Sequence, residues 1–516
     1  METEFNKLNI SDDNSNKDSN LESISHRNCS YCNKPFTKVL WCKECDPFRM
    51  IEGWTSGNND IDKFIKDTIY DARNSGSEFI EWVPFDRFED VKQIGEGGFA
   101  KVYSATWIDG KTEYDKQDDG SWKKEEPEPM KVALKRLNGS QNMSAEYYLN
   151  ELKIHRKHCT NTIRTLQFYG ITKDPETEEF IMILDFANQG NLRSFLSSNF
   201  NKILWKDKIK YLFWIISNLD DLHDLGYFHK DFHSGNILQV NNESHISDFG
   251  LSGSSNKQKS DNNKICGVLP YIAPEVLNKE PYTLSSDIYS FGVIMAELSS
   301  GKPPFYERKH DISLALEICN GFRPEFGKGT PEIYKKLAYK CMNANSNQRP
   351  TAVELYDIIS FWNNSFDEYY QEKENFGYKE KEIKAIFEEA DKEIPNISTS
   401  YKKNSDAIYT SRVFTFNNLP KPVNSSIITS YLDDNEDCQD SQLFDLEISV
   451  DISHLANVNS GKYHSQSVFG WEGIPVEENM NIDEFYQDVV IHEIGRELWD
   501  KNITTFFSHT RLSEKD

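Results

Sequence analysis

The stretch Phe228-His229-Lys230-Asp231-Phe232-His233-Ser234-Gly235-Asn236, followed by Asp248-Phe249-Gly250, constrains this chain more than any other part of it. An Asp and an Asn sit five residues apart, and a second Asp opens a Phe-Gly turn. Phosphoryl transfer needs such a set: Asp231 to orient an attacking hydroxyl and accept its proton, Asn236 and Asp248 to hold the magnesium that neutralises a triphosphate. No other common site needs this trio at this spacing.

The remaining parts of such a site lie upstream, in order. Ile94-Gly95-Glu96-Gly97-Gly98-Phe99-Ala100-Lys101-Val102-Tyr103 is a glycine-rich turn between two strand-like runs. Glycines let a backbone approach phosphates and supply dihedrals that other residues resist. Alone the motif is weak, because it also marks dinucleotide folds. A dinucleotide turn should open a helix, whereas an apolar strand, Val102 to Trp107, follows here. The chain has no Gly-Lys-Ser/Thr, which excludes a Walker loop. Lys131-Val132-Ala133-Leu134-Lys135 predicts a strand ending in a lysine able to reach phosphates. A helical pattern from Ser144 to His158 places Glu151 beside Leu152 and Ile154, facing inward as an ion-pair partner for Lys135.

These motifs together resemble the eukaryotic protein kinases over roughly Phe85 to Trp362. Ala273-Pro274-Glu275 resembles the end of an activation segment. Asp287 matches the helix residue that anchors the catalytic loop, and Arg349 the buried partner of Glu275. The details look most like the tyrosine-kinase-like group, in particular a fungal expansion with a Cys-x-x-Cys head and an Asn-Leu-Pro-Lys-Pro-Val-Asn-Ser-Ser segment, here Asn418 to Ser426.

The resemblance implies an α+β, two-lobed protein kinase fold over residues 88–362, with a β-rich N-lobe (88–186) and an α-helical C-lobe (187–362). It implies catalytic roles for Asp231, Lys135 and Glu151, and magnesium ligation by Asn236 and Asp248. ATP would be held by Ile94, Gly95, Gly97, Gly98, Val102, Ala133, Lys135, Leu184, Asp185, Ala187 and Leu238, with Asp185 to Ala187 as the hinge. The acceptor would be a protein Ser/Thr hydroxyl.

Four positions depart from the pattern: Ala100 for the third glycine, Lys230 for Arg, His233 for the Ser/Thr-kinase Lys, and Val268 for the Thr that favours Ser/Thr acceptors. Lys230 lacks the bidentate fork that grips a phosphorylated loop. That weakens activation through Ser252, Ser254, Ser255 or Ser260. A scaffold that binds ATP and partners without turnover is the alternative reading.

Two knuckles, Cys29-x-x-Cys32 and Cys42-x-x-Cys45, can supply four thiolates to one structural Zn2+ in a small ribbon-like head, residues 29–48. The bland alternative is an unligated flexible arm. The five other cysteines are scattered, which fits reduced thiols in the cytoplasm, with the nucleus left open. The net charge of -25 disfavours wholesale nucleic-acid binding. No apolar run is long enough for membrane insertion, and residues 1–25 carry no apolar signal-peptide core.

Residues 1–28 read as disordered and 49–87 as a helical lead-in, with Ile61, Phe64, Ile65 and Ile69 on one face. Asp109 to Pro129 is an acidic insertion. A helical extension, 363–395, carries Ile383, Ile386, Phe387, Ala390 and Ile394. Most of the net negative charge lies from residue 361 onward. Residues 396–516 read as an acidic, mostly disordered tail, a docking arm for a protein partner, as the zinc head is. His492-Glu493-Ile494-Gly495-Arg496 imitates a zinc protease helix, but Arg496 replaces the second histidine and cannot ligate zinc.

Overall fold

The computed structural model describes residues 55–75, 79–97, 100–111, 114–116, 122–124, 128–141, 145–161, 165–254, 265–367 and 374–432. The Cys29/Cys32/Cys42/Cys45 head, the 1–28 segment, Gly98, the His492 motif and the tail beyond residue 432 lie outside them.

The small lobe is built on a six-stranded sheet: β1 (Glu81–Trp82), β2 (Phe88–Glu96), β3 (Ala100–Trp107), β6 (Met130–Leu137), β7 (Phe168–Lys173) and β8 (Phe180–Asp185), in the order β1-β7-β8-β6-β3-β2. The Asp109–Pro129 insertion contains a short hairpin, β4 (Tyr114–Lys116) against β5 (Trp122–Lys124). Helix α1 (Asn59–Ser75) buries Ile61, Phe64, Ile65 and Ile69 in one cluster with Tyr148, Leu149 and Leu152. These last three belong to helix α2 (Ala145–Asn161), which carries Glu151. Asn58 Nδ2 also donates to the Tyr148 hydroxyl at 2.8 Å. The lead-in therefore braces the helix that presents Glu151, because its apolar stripe has nowhere else to hide from water.

The large lobe is helical: α3 (Leu192–Asn199), α4 (Trp205–Asp224), α5 (Pro274–Leu277), α6 (Leu284–Ser300), α7 (Ile312–Cys319), α8 (Glu332–Cys341) and α9 (Ala352–Asn364). Every residue of α6 from Ser286 on is buried, and Gly301 ends the helix at φ 68°. Short ribbons carry the loops between: β9 (Tyr227–Phe228) with β12 (Gly253–Ser254), and β10 (Ile237–Val240) with β11 (Glu243–Ile246). Glu275 and Arg349 form a bidentate ion pair, 2.6 and 2.8 Å, sealed inside this lobe. Removing one partner there would strand a buried charge.

Beyond the large lobe, a hairpin of β14 (Glu374–Asn375) and β15 (Tyr378–Lys379) leads into α10 (Glu380–Asp391). Phe387 of α10 packs between Trp205 and Trp362, with ring centroids 5.6 and 5.5 Å away. The following segment corrects, for residues 396–432, the expectation of a mostly disordered tail over 396–516. Residues up to 432 lie on the large lobe, with strand β16 (Arg412–Phe414) and helix α11 (Ser426–Leu432). Ile397, Ala407, Tyr409, Phe414, Phe416 and Ile428 are buried there. A segment this polar builds no core of its own; it places single apolar anchors into a core that the large lobe already owns.

Candidate active site

Lys135 sits mid-sheet on β6, opposite Val102 of β3 and Met182 of β8. Its ammonium contacts Glu151 and lies 2.8 Å from Asp248 Oδ1. Burial opposes the Lys135 charge, but the two carboxylates outweigh it and raise the pKa. Burial likewise pushes Asp248 up, and Lys135 more than reverses this, so the carboxyl stays ionised below its ordinary range. Asp248 has φ 69°, a left-handed conformation that Asp tolerates better than most residues. Gly250 completes the turn: a Cβ there would stand 3.2 Å from Glu151 Oε2.

The loop carrying Asp231 is pinned from below. Asp287 accepts from the backbone N–H of His229 at 2.7 Å and of Lys230 at 3.1 Å. His229 Nδ1 accepts from the Asp231 N–H at 3.3 Å, so Nε2 carries the proton and donates to the Ser247 carbonyl at 3.0 Å. Asn236 Nδ2 donates to the Asp231 carbonyl at 3.0 Å. Its Oδ1 is then the end free to ligate a cation.

Asp231 is buried, and its Oδ1 faces the His233 ring. Burial would raise its pKa; the His233 ring, 3.5 Å from Oδ1, and the Ser411 hydroxyl outweigh that and lower it. The carboxylate is therefore ionised, as a proton acceptor at neutral pH must be.

A column of rings joins the lobes behind these groups. Phe168, His155, Phe249 and His229 follow one another at centroid distances of 5.5, 5.3 and 5.5 Å. Burial pushes His155 down to about 3 and its neighbour His158 to about 4. Both are neutral in the fold, whereas the unfolded chain titrates them near the ordinary value of about 6.5. Below that value the unfolded state binds protons that the native state refuses, so stability falls with pH until about 4 to 3. At pH 5 this is on the order of 2 kcal/mol per histidine. Melting temperature should drop from pH 7 to pH 5, and His155→Phe should flatten the slope. An unchanged slope in that variant would place the acid sensitivity elsewhere.

Of the expected nucleotide residues, Ala133 and Leu184 share one apolar cluster, against which Val102 and Leu238 pack. Asp185 ends β8, fixed by hydrogen bonds from the Tyr169 hydroxyl and the Gln167 N–H. Ala187 follows, its carbonyl accepting from the Gly190 N–H at 3.1 Å. Gly95 pairs with Val102, and the Gly97 N–H donates to the Ala100 carbonyl at 2.8 Å, so β2 and β3 stay hydrogen-bonded up to the glycine turn. Ile94 is half exposed at its rim. Ser252 is a poor phosphorylation site, since it is buried and its hydroxyl donates to the His229 carbonyl at 3.3 Å.

One residue in the site escaped the sequence reading. Ser411, on the tail, donates its hydroxyl to Asp231 Oδ2. Its signal was the alternation around it: Ala407 and Tyr409 buried, then Phe414 and Phe416, with Val413 exposed.

Residues 88–359 match the protein tyrosine and serine/threonine kinase family, and the chain belongs to it. It is similar to the probable serine/threonine-protein kinase pats1 of Dictyostelium discoideum, 29% identical over 54% of this chain and 8% of that protein. It is also similar to the G-type lectin S-receptor-like serine/threonine-protein kinase CES101 of Arabidopsis thaliana, at 27% over 56% of this chain and 35% of that protein. The probable serine/threonine-protein kinase PBL18 of the same plant is 30% identical over 53% of this chain and 72% of its own length. The chain thus spans a small part of the first two and most of the third. Among the described residues, no helix is long and apolar enough to cross a membrane.

Proposed function

We propose that the chain is an ATP-dependent protein kinase that transfers the γ-phosphoryl group to Ser/Thr hydroxyls of protein acceptors in the cytoplasm. The observation that carries this reading is the assembled cleft: Lys135 holds Glu151 and Asp248 together, and Asp231 faces a hydroxyl. Ala133, Leu184, Val102 and Leu238 make an apolar slot fit for an adenine, with the backbone of Asp185 to Ala187 at its edge. Lys135 would meet the α and β phosphates. Asp231 would orient the acceptor and take its proton while the γ-phosphorus to β-oxygen bond breaks.

Asp248 and the Asn236 amide oxygen fit a magnesium ion, which would neutralise the developing phosphate charge. Among the described residues no cluster of three His, Cys, Asp or Glu side chains suits a metal, so the nucleotide phosphates would complete the coordination. The Ser/Thr reading draws on the names of the relatives and on the serine at Asp231. ADP release with magnesium-ATP and a generic acceptor, followed by phosphoamino-acid analysis, tests it. A folded, nucleotide-binding chain without turnover would return the scaffold reading, and phosphotyrosine would overturn the specificity.

The thiolates of Cys29, Cys32, Cys42 and Cys45 would hold one structural zinc, and the head and the acidic tail would recruit protein partners. About one zinc per purified chain, lost on replacing Cys42 and Cys45 by Ser, is expected by native mass spectrometry. Metal-free protein prepared with zinc under reducing conditions would favour the flexible arm.

A further inference from the structure

Strand β16 lies antiparallel to β13 (Ile265–Gly267), which lies within the segment that runs from Asp248 to Glu275. Gly267 pairs with Arg412, Cys266 with Val413 and Ile265 with Phe414. This register carries the residue before Arg412 to the catalytic loop, where the Ser411 hydroxyl donates to Asp231 and stands 3.5 Å from His233 Nε2. An acceptor hydroxyl must take that place to give up its proton to Asp231.

The seat is built on both sides of Ser411. Tyr409 is buried, its hydroxyl donating to the Pro304 carbonyl at 2.8 Å. The Arg193 guanidinium lies 4.7 Å from the Tyr409 ring and donates to its carbonyl at 3.2 Å. Arg412 donates to the His310 carbonyl at 2.5 Å. Phe414 and Phe416 stack at 5.2 Å and are both buried. Farther on, the Val423 N–H donates to the Cys319 carbonyl at 2.9 Å, and Asn424 bonds Asn343 and the Ala344 N–H. Gly321, at φ 90°, admits this stretch: a Cβ there would lie 2.4 Å from the Ser425 nitrogen.

From this we propose that Ser411 is an intramolecular phosphoacceptor, and that its phosphorylation opens the groove to other substrates. The proposal rests on the kinase reading above. In the step, the bond from Ser411 Oγ to the γ-phosphorus forms as the bond to the β-phosphate oxygen breaks. The hydroxyl proton passes to Asp231, and ADP leaves. The product places a phosphate dianion beside the carboxylate of Asp231, a repulsion that unseats β16.

The test uses the full chain with magnesium-ATP and a generic acceptor protein. Fragmentation of the tryptic peptide spanning residues 404–412 locates the phosphate. Expected are one phosphate at Ser411, a first-order rate independent of protein concentration, and none on an Asp231→Asn chain mixed in as acceptor. Transfer to the generic protein should accelerate about tenfold or more once Ser411 is modified. Tyr409→Ala with Phe414→Ala removes two anchors of the strand, and this variant should label the generic protein from the start. Its fold is checked by a nucleotide-dependent thermal shift.

If the unseated chain is active while wild-type Ser411 stays bare, the proposal falls and β16 is a fixed strap. Labelling of the Asp231→Asn chain, or a rate rising with concentration, would show transfer between molecules and overturn it too. A folded, nucleotide-binding variant pair silent toward every acceptor would sink the kinase reading itself.

Discussion

Replacing Asp231 by Asn is expected to lower turnover by about 10²–10⁴ while nucleotide binding is largely kept. The substitution keeps the shape of the side chain. The loop that carries it is held by backbone groups and by Asp287, none of which changes: His229 and Lys230 still donate to Asp287, and Asn236 still donates to the backbone carbonyl of residue 231. An amide oxygen can still accept a hydroxyl, so the acceptor is still bound. What disappears is the negative charge that His233 and Ser411 hold below the ordinary carboxylate range, and with it the site for the acceptor's proton. The effect should therefore appear in kcat and leave the dissociation constant for magnesium-ATP within a few-fold. Steady-state ADP production and nucleotide titration separate the two. Unchanged turnover would remove Asp231 from the chemistry.

The groups around that carboxylate were legible because their chemistry demands particular residue types at fixed spacing. Lys135, Glu151, Asp231, Asn236 and Asp248 come from four separate segments, and the structure brings them into one cleft. The ion pair of Glu275 with Arg349, 74 positions apart, was legible for the same reason. The stripe of Ile61, Phe64, Ile65 and Ile69 announced α1 by its helical period.

The histidines of the ring column were harder to read. A histidine in a helix can be a ligand, a surface residue or a core residue, and only the packing of Phe168 and Phe249 against His155 decides it. The stretch 396–432 was misread for a physical reason. Its polar composition says that it cannot fold alone, which is a statement about its own core. The surface that receives it, formed by residues such as Arg193, Pro304, His310 and Cys319, is scattered along the chain and has no motif.

Truncation after Pro395 should therefore do far more than trim a loose arm. It removes Ile397, Tyr409, Phe414, Phe416 and Ile428, all buried against the large lobe. Full burial of one such side chain contributes roughly 1.5–3 kcal/mol. The sum is an upper bound, because a truncated chain can repack and the unfolded reference is not fully extended. Even half of it, on the order of 5 kcal/mol, is comparable with the total stability of a typical domain. Truncation also uncovers the partners left behind. The Arg193 guanidinium loses the Tyr409 ring and carbonyl but keeps Glu297, whose Oε1 lies 3.7 Å from its Nε. The Cys319 carbonyl and the Ala344 N–H lose the bonds supplied by Val423 and Asn424. The truncated protein should melt at least about 10 °C below the full chain and expose apolar surface that binds a hydrophobic dye. What survives at low temperature should have an open acceptor groove, so its transfer to a generic protein should show no lag. Differential scanning calorimetry on both chains decides the first point, and a time course of phosphate transfer the second. A truncated chain that melts with the full one would mean that the tail rests on the large lobe without stabilising it.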